Sequence, residues 1–460
     1  MEVIISYITE LISGMLPLSL LIICGMYLTL KGNFFQIRLF PKSVKLMKKA
    51  VLSKDKGEGL SSFQAACTSL SAAVGTGNIA GVSAALSVGG AGAVFWMWTS
   101  AVFGMAIKAA EITIGIKYRK KSGDIFIGGP MIYIKEGLPK ALKPLGYVFA
   151  IAGLPTVFCT GNITQTNAAV FSISEDGRIK FICGLVFALL TYFAISGGVK
   201  RIGIIAEKTV PLMSVLYLFL CGILIIINID FLPEAFKMII VGAFKPRAVT
   251  GGAVGSFITS AVIGAQRGVF SNESGLGTAP IAHSLAYDAN TEFQGLFGIF
   301  EVFVDTILIC TLTALTVLCS RVNIDYGAVA SSELVVKALS TVFGGTSPII
   351  ISVMLCVFAF SSIIGWAAYG GIFAEFLLGK NFRKFFMLIY PLGCIVGSVT
   401  GVEFAWKMTD FFSGIMLCIN LPAIIMLWDN YFKKEDKIYV SKKNRKNKKN
   451  SRGKASGSYN

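Results

Sequence analysis

Two short runs interrupt apolar stretches with residue types that can hold ions. Residues 71–81 read SAAVGTGNIAG, and residues 270–277 read FSNESGLG. Glycine lets a helix bend open and lets a ligand approach the backbone with no Cβ in the way. Where a helix breaks, the next half begins with unpaired N–H groups and a partial positive charge, which suit a carboxylate. The half before the break ends in released carbonyls, which suit a hard cation such as Na+. In the first run the N–H groups follow Gly77, the carbonyls are those of Ser71 and Val74, and Asn78 adds a side-chain amide. The second run offers carbonyls near Phe270 and Ser271 and the side chains of Ser271 and Asn272, acceptors for an ammonium group.

Further polar residues lie in apolar surroundings. Glu273 is costly in such a segment unless paired, hydrated or protonated, and pairing with nearby Arg267 is the favoured reading over a coupling proton. The run FSSIIGW at 360–366 presents Ser361 and Ser362, which either complete an oxygen shell for Na+ or bond back to their own helix. Trp366 in that run either closes a small pocket or marks an interface. Lys108 and Glu111 are spaced to pair on one helix face, whereas Glu301 and Asp305 would repel if both ionised. Asp305 is expected at a hydrated seam or as a second ligand, and His283, the single histidine, in a structural or capping role. Gly77 and Gly81 also form a GxxxG spacing, so close helix packing is the simpler account of the first run. Packing does not explain Asn78 or the Ser-Asn-Glu-Ser of the second run.

Elements long enough to carry these residues follow from composition. Of 460 residues, 54% are hydrophobic and 15% charged, the balance of an all-α integral membrane protein. About eleven apolar segments are each able to span roughly 30 Å of hydrocarbon. They fall at 16–30, 60–89, 95–116, 145–171, 181–196, 204–227, 251–286, 295–318, 348–378, 385–398 and 403–428. Amphipathic pieces at 233–241 and 331–343 are expected along the surface. The segment 60–89 would be about 45 Å long as one helix, and 251–286 about 54 Å, both too long for the bilayer. Each carries one of the two polar runs near its middle, so each is read as a broken span.

Basic residues orient the chain. Lys31, Arg38, Lys42, Lys45, Lys48, Lys49, Lys54 and Lys56 follow the first segment; Lys117–Lys121, Lys200 with Arg201, and Lys380 with Arg383 fall on the same side. That side is read as the cytoplasm, joined by the basic tail 433–460, while Lys237, Lys245 and Arg247 are exceptions. The net charge of +17 therefore reports topology, and nucleic acid is not an expected partner. Ten scattered cysteines with no CxxC pair read as small buried hydrophobes. No signal-peptide cleavage is expected from the opening MEVIISYITELIS.

Setting aside the helix at 16–30, the two broken spans open two sets of five, at 60–227 and 251–428, within one membrane domain of 1–432. Five is odd, so the second set lies inverted, the plan of an inverted-repeat transporter with its site between two discontinuous helices.

With GTGN, GVFSNESGLGTAPIAH and FSSIIGWAAYGG in hand, the chain resembles the alanine or glycine:cation symporter family over nearly its whole length. The resemblance implies a leucine-transporter-like fold, a five-plus-five inverted repeat with one extra N-terminal helix. It also implies Na+-coupled uptake of a small neutral amino acid, alanine or glycine, at a multi-pass bacterial inner membrane. It puts the amino acid at Gly75, Thr76, Gly77 and Asn78, with Phe270, Ser271 and Asn272 opposite and Gln165 and Trp366 completing the pocket. Through the wider fold, it puts Na+ at the carbonyls of Ser71, Val74 and Phe358 and the hydroxyls of Ser361 and Ser362. Proton coupling is the alternative. Membrane lipid is the surrounding medium, and no obligate protein partner is expected.

Other classes fit less well. A channel calls for rings of pore-lining groups, whereas paired broken helices offer one enclosed site. An enzyme built on Ser274 lacks a suitable base, there is no HExxH, and no GxxxxGK[ST] run supplies ATP chemistry.

Overall fold

The structure, a computed structural model, describes residue 12 and residues 14–52, 59–245, 257–327, 332–401 and 404–429. Residues 251–256 of the second long segment, Ser331, Glu403, the loop cations Lys54, Lys56 and Arg247, and the tail 433–460 lie outside the described residues. Among the described residues, eight helices are long and apolar enough to cross a membrane, and a ninth span is counted when the bent pair Ser62–Ala73 and Thr76–Gly89 is taken together. Met15–Lys31 is shorter, at 17 residues. Long apolar side chains face outward along the spans, among them Leu189, Phe193, Leu212, Val215 and Phe219. Outward apolar faces suit a lipid solvent, because a helix satisfies its backbone internally and needs no water.

Both overlong segments are interrupted where glycine and polar residues gather. Ser61 caps Ser62–Ala73, accepting from Gln64 N while Gln64 Oε1 accepts from Ser61 N, and this fixes where the first broken span starts. That helix ends at Val74, a tight turn follows at Thr76–Asn78, and Ala80–Gly89 resumes at an angle of 56°. In the second, Phe257–Asn272 stops at Glu273, Gly275 and Gly277, all in the left-handed region with φ of 55°, 81° and 82°. Pro280 then starts Ala279–Ser284. Glycine takes such φ values freely, whereas Glu273 holds one at a cost of roughly 1–2 kcal/mol, so its surroundings fix it.

Helix Gly92–Tyr118 runs behind both breaks and packs closely on Phe257–Asn272 and Thr291–Val302. Two helices next to the breaks contain wide turns, at Cys159–Ile163 and Phe303–Cys310, where the backbone bonds i→i+5. The piece expected at 233–241 lies within helix Leu232–Phe244, and the one expected at 331–343 overlaps helix Glu333–Phe343. Two features had no signal in the reading above: the amphipathic helix Phe40–Leu52, and a small antiparallel hairpin that pairs Lys120–Ser122 with Ile125–Ile127.

One end of the bundle gathers the cations and is closed. Tyr287 N donates to Leu60 O at 2.9 Å, joining the two broken spans at that end. Arg119 donates to the carbonyls of Ser284, Ala286 and Ala289 at 3.4, 2.5 and 3.2 Å. Ser122 bonds Glu375 at 2.6 Å, Arg383 pairs with the same carboxylate at 3.0 Å, and Lys31 pairs with Asp429.

Candidate functional site

The first break is held open by side chains. Gln165 Oε1 accepts from Thr76 N at 3.0 Å and from Thr76 Oγ1 at 2.9 Å, so the backbone amide just before Gly77 is already occupied. Gln165 reaches it because the wide turn at Cys159–Ile163 precedes it, and its Nε2 donates to Thr160 O at 3.2 Å. Asn78 Oδ1 accepts from Gly75 N at 3.0 Å, clamping the turn from inside.

Asn78 also joins the two breaks. Its Nδ2 lies 3.1 Å from Ser271 Oγ and 2.8 Å from Asp305 Oδ1, and Ser271 Oγ donates to Asp305 Oδ2 at 2.7 Å. Thr306 donates to the same oxygen at 2.7 Å, and Asn272 Nδ2 donates to Thr306 Oγ1 at 3.2 Å. Asp305 thus sits fully buried between the breaks, surrounded by hydroxyl and amide donors. Position 305 stands four residues after Glu301, yet the two acids do not face each other. The wide turn at Phe303–Cys310 rotates Asp305 into this junction and leaves Glu301 to bond His283 Nε2 at 2.7 Å and Ser69 Oγ at 2.7 Å.

The serines of the long helix Ser347–Leu378 meet the carbonyl end of the first half-helix. Ser362 Oγ donates to Ala72 O at 3.2 Å and lies 3.5 Å from Val74 O. Ser71 bonds Ser361 through its hydroxyl, at 3.0 Å from Ser361 Oγ and also to the Ser361 carbonyl. Ser71, Val74, Ser361 and Ser362 are therefore together, with the Ala72 carbonyl as an oxygen not anticipated. Phe358 lies one turn earlier on the same helix, its ring 5.5 Å edge-on from Tyr217. These are neutral oxygens of the kind a hard monovalent cation takes.

Close approaches at glycines set the size of the site. A Cβ on Gly75 would lie 2.3 Å from Ser362 Oγ and 2.8 Å from Gln165 Oε1, and one on Gly77 would lie 2.9 Å from the Phe270 ring. Gly81 is buried with nothing within 4 Å of where its Cβ would stand, so close helix packing does not account for this glycine. Phe270 covers the first break and lies tilted against Trp406, ring centroids 4.7 Å apart, while the Arg267 guanidinium lies 4.4 Å over the Trp406 ring. A cleft of about 70 Å³ opens beside Phe270, lined by Pro17, Thr160, Val269, Asp410 and Ser413 among others. The Thr160 and Ser413 hydroxyls are buried there without a hydrogen-bond partner in the structure. Trp366 lies instead against Gly161, where a Cβ would meet its side chain at 2.3 Å, and beside the Glu273 carboxyl.

Two pairings expected from spacing are replaced. Arg267 stands on Trp406, and the Glu273 carboxylate accepts from Thr278 Oγ1 at 2.7 Å. Six residues along a helix turn a side chain by about 240°, and the left-handed Glu273 turns it further, so the two cannot meet. Lys108 does not pair with Glu111 either: its Nζ donates to Asn272 O at 3.0 Å and lies 3.4 Å from Glu301 Oε2, while Glu111 accepts from Asn420 Nδ2 at 3.1 Å. Asn420 donates as well to Gly275 O at 2.8 Å, so Gly92–Tyr118 and the last helix, Phe404–Asp429, both brace the second break. Trp406, Asp410 and Asn420 escaped the sequence reading, because an isolated residue in an apolar span carries no mark of which face it occupies.

Comparison with known proteins follows the same direction. The sequence profile of the "Sodium:alanine symporter family" matches residues 1–453. An uncharacterised transporter of Haemophilus influenzae is 38% identical over 93% of this chain and 93% of its own length. The "Sodium/alanine symporter AgcS" of Methanococcus maripaludis is 35% identical over 92% of this chain and 94% of its own. Among solved structures, MhsT in complex with L-phenylalanine superposes with a TM-score of 0.56, covering 80% of this chain and 89% of that one at 17% identity, which makes the fold leucine-transporter-like. The chain is a multi-pass membrane transporter that belongs to the sodium:alanine symporter family.

Proposed function

We propose that this protein is a symporter that imports a small neutral amino acid, alanine or glycine, together with Na+ by alternating access. The observation that carries the reading is the meeting of the two breaks at Asn78, Ser271 and Asp305, with the serine cluster one step behind. The substrate carboxylate is received by the half-helix that resumes after Gly77, and its ammonium by the Phe270 and Ser271 end of the opposite break and by Asp305. Gly75, Thr76, Gly77, Asn78, Gln165, Phe270, Ser271, Asn272 and Trp366 are the proposed substrate residues. Phe270 lies so close over Gly77 that a Cβ there would stand 2.9 Å from its ring, and this crowding at the first break supports a small substrate side chain. Na+ is taken by Ser71, Val74, Phe358, Ser361 and Ser362, with Ala72 added from its contact with Ser362. The name of the Methanococcus maripaludis relative, a sodium/alanine symporter, agrees with both assignments.

The halves 60–227 and 251–428 then serve as the inverted repeat. The closed end carrying Arg119 and the Leu60–Tyr287 contact is the cytoplasmic gate, in the bacterial inner membrane with the C-terminus inside. Arg267, Trp406 and Phe270 form the outer lid above the cleft. Uptake of labelled alanine and glycine into proteoliposomes tests the reading, under an inward Na+ gradient, an inward proton gradient, or neither. Accumulation under Na+ alone is expected. Accumulation under protons alone would replace Na+ with the alternative coupling ion, and failure under every gradient would refute the substrate.

A further inference from the structure

The two breaks are not equivalent in charge. At the first, the Ala72 carbonyl at the end of Ser62–Ala73 accepts from the neutral Ser362 hydroxyl at 3.2 Å, and the Ser71 hydroxyl lies 3.0 Å from that of Ser361. At the second, the carbonyl end of Phe257–Asn272 already meets a cation, the Lys108 ammonium, 3.0 Å from Asn272 O. The last carbonyls of a helix lack partners within it and carry a partial negative charge, so a cation there is stabilising. Lys108 is 1% exposed and is balanced by Glu301 at 3.4 Å, itself fully buried. Glu111, Glu273 and Asp305 add further carboxyls around the ammonium. The stem has a prepared place: Gly298 lets the neighbouring helix approach, since a Cβ there would lie 3.2 Å from Lys108 Cγ.

We propose that Lys108 is a tethered cation permanently occupying the carbonyl end of the second break, so that the cycle carries one dissociable cation, at the first break, for each substrate. The ammonium neutralises the end of the half-helix whose preceding residues, Phe270 to Asn272, face the substrate, and thereby positions them. Unlike Na+ it cannot leave, so it holds its break in both orientations of the site. This deepens the sodium-coupled reading given above and rests on it.

Three variants and one cation series test it. Lys108→Met keeps the length and removes the charge, Lys108→Ala leaves a space at the carbonyl, and Lys108→Arg keeps the charge. Na+ activation of uptake in proteoliposomes is measured beside thermal unfolding of the detergent-solubilised proteins in sodium, methylammonium or choline chloride. The wild type is expected to show a Na+ activation slope of about 1, with no cooperativity between ions. Lys108→Met loses uptake by about tenfold or more, as for a buried pair that has lost one partner, and Lys108→Arg retains part of it. Methylammonium, but not choline, raises the unfolding temperature of Lys108→Ala and restores uptake, and it does neither for the wild type or Lys108→Met. A wild-type slope near that for two cooperating ions overturns the proposal without any variant. So does Lys108→Met with wild-type uptake and Na+ response, or folded Lys108→Ala indifferent to methylammonium. A wild type indifferent to Na+ would overturn the sodium-coupled reading instead, and the methylammonium shift on Lys108→Ala would still decide the role of Lys108. If Lys108→Ala does not fold, the slope and the Lys108→Met uptake decide alone.

Discussion

Replacing Gly75 with alanine probes a backbone position of the proposed substrate site that lies directly against Ser362 of the proposed cation site. The backbone there has φ of −136°, which any L residue adopts, so the objection to a side chain is steric alone. The new Cβ would stand 2.3 Å from Ser362 Oγ and 3.3 Å from Ser362 Cβ, distances that require Ser362 to move. Ser362 cannot yield without leaving Ala72 O and Val74 O, because it sits on a continuous helix of 32 residues. Overfilling a close-packed interior costs about 1–3 kcal/mol. Loss of one hydroxyl from an oxygen shell accounts for about 1–2 kcal/mol of that, as for a typical buried hydrogen bond. Gly75→Ala is therefore expected to raise the Na+ concentration for half-maximal uptake by about 5- to 30-fold. Gly81→Ala is the internal control: the same change, further along the same broken span, meets nothing within 4 Å. It lies in the helix Ala80–Gly89, where alanine is favoured over glycine by about 0.5–1 kcal/mol, so Na+ activation is unchanged and stability equal or higher. Alanine uptake against Na+ concentration, with thermal unfolding of each purified variant, reads both. A Gly75→Ala transporter with wild-type Na+ activation, or a Gly81→Ala transporter equally impaired, refutes the geometry.

Four further substitutions separate the remaining parts. Ser362→Ala should raise the Na+ requirement by about 5- to 30-fold, whereas Asn78→Gln, which disrupts contacts to Ser271 and Asp305, should lower maximal uptake with a smaller Na+ effect; equal Na+ shifts in uptake assays would dissolve the distinction between the sites. Trp406→Ala removes the ring between Phe270 and Arg267, an aromatic contact and a cation–π contact together worth about 1–3 kcal/mol, so bound substrate should dissociate about tenfold faster in a filter-binding chase. An unchanged off-rate would remove the lid. Arg119→Ala deletes charge-assisted bonds of about 1.5–3 kcal/mol each at the closed end, and alkylation of buried Cys67 by an impermeant maleimide, followed by mass spectrometry of that peptide, should accelerate at least about tenfold. Unaltered labelling would show that Arg119 does not keep the gate shut.

How legible all this was in the sequence depends on the range of the forces involved. The spans and the two interruptions are local properties: apolar length must match hydrocarbon thickness, and glycine with polar residues marks where a helix fails, so the breaks within 60–89 and 251–286 were readable without a neighbour. The contacts of Ser362 with Ala72 and Val74 were partly legible, because serines in an apolar helix need an acceptor, although the sequence does not say that Ala72 supplies one. Lys108 and Arg267 were misread for a common reason. Each has an acid at helical spacing or close in sequence, yet each is claimed by a distant group: Asn272 and Glu301 for Lys108, Trp406 for Arg267. In a low-dielectric interior the strongest partner wins whatever its distance along the chain. Gln165 illustrates a third case: the resemblance marks the residue, but only the fold shows its carbonyl spent on the amide and hydroxyl of Thr76.

The wide turn at Phe303–Cys310 deserves a last consideration in terms of chain length. Such a turn accommodates one residue more than an α-helix of the same rise, and each residue advances the helix by about 100°. Two acids that a regular helix would set on one face are thereby assigned to separate surroundings, Glu301 to His283 and Lys108, Asp305 to Asn78 and Ser271. The position of Asp305 is thus written in the number of residues between Val302 and Thr311 and not in the identity of any of them. Point substitutions in that stretch that spare Asp305, Thr306 and Cys310 would leave the placement intact, while removal of a single residue would swing an entire half of the helix out of register with the site.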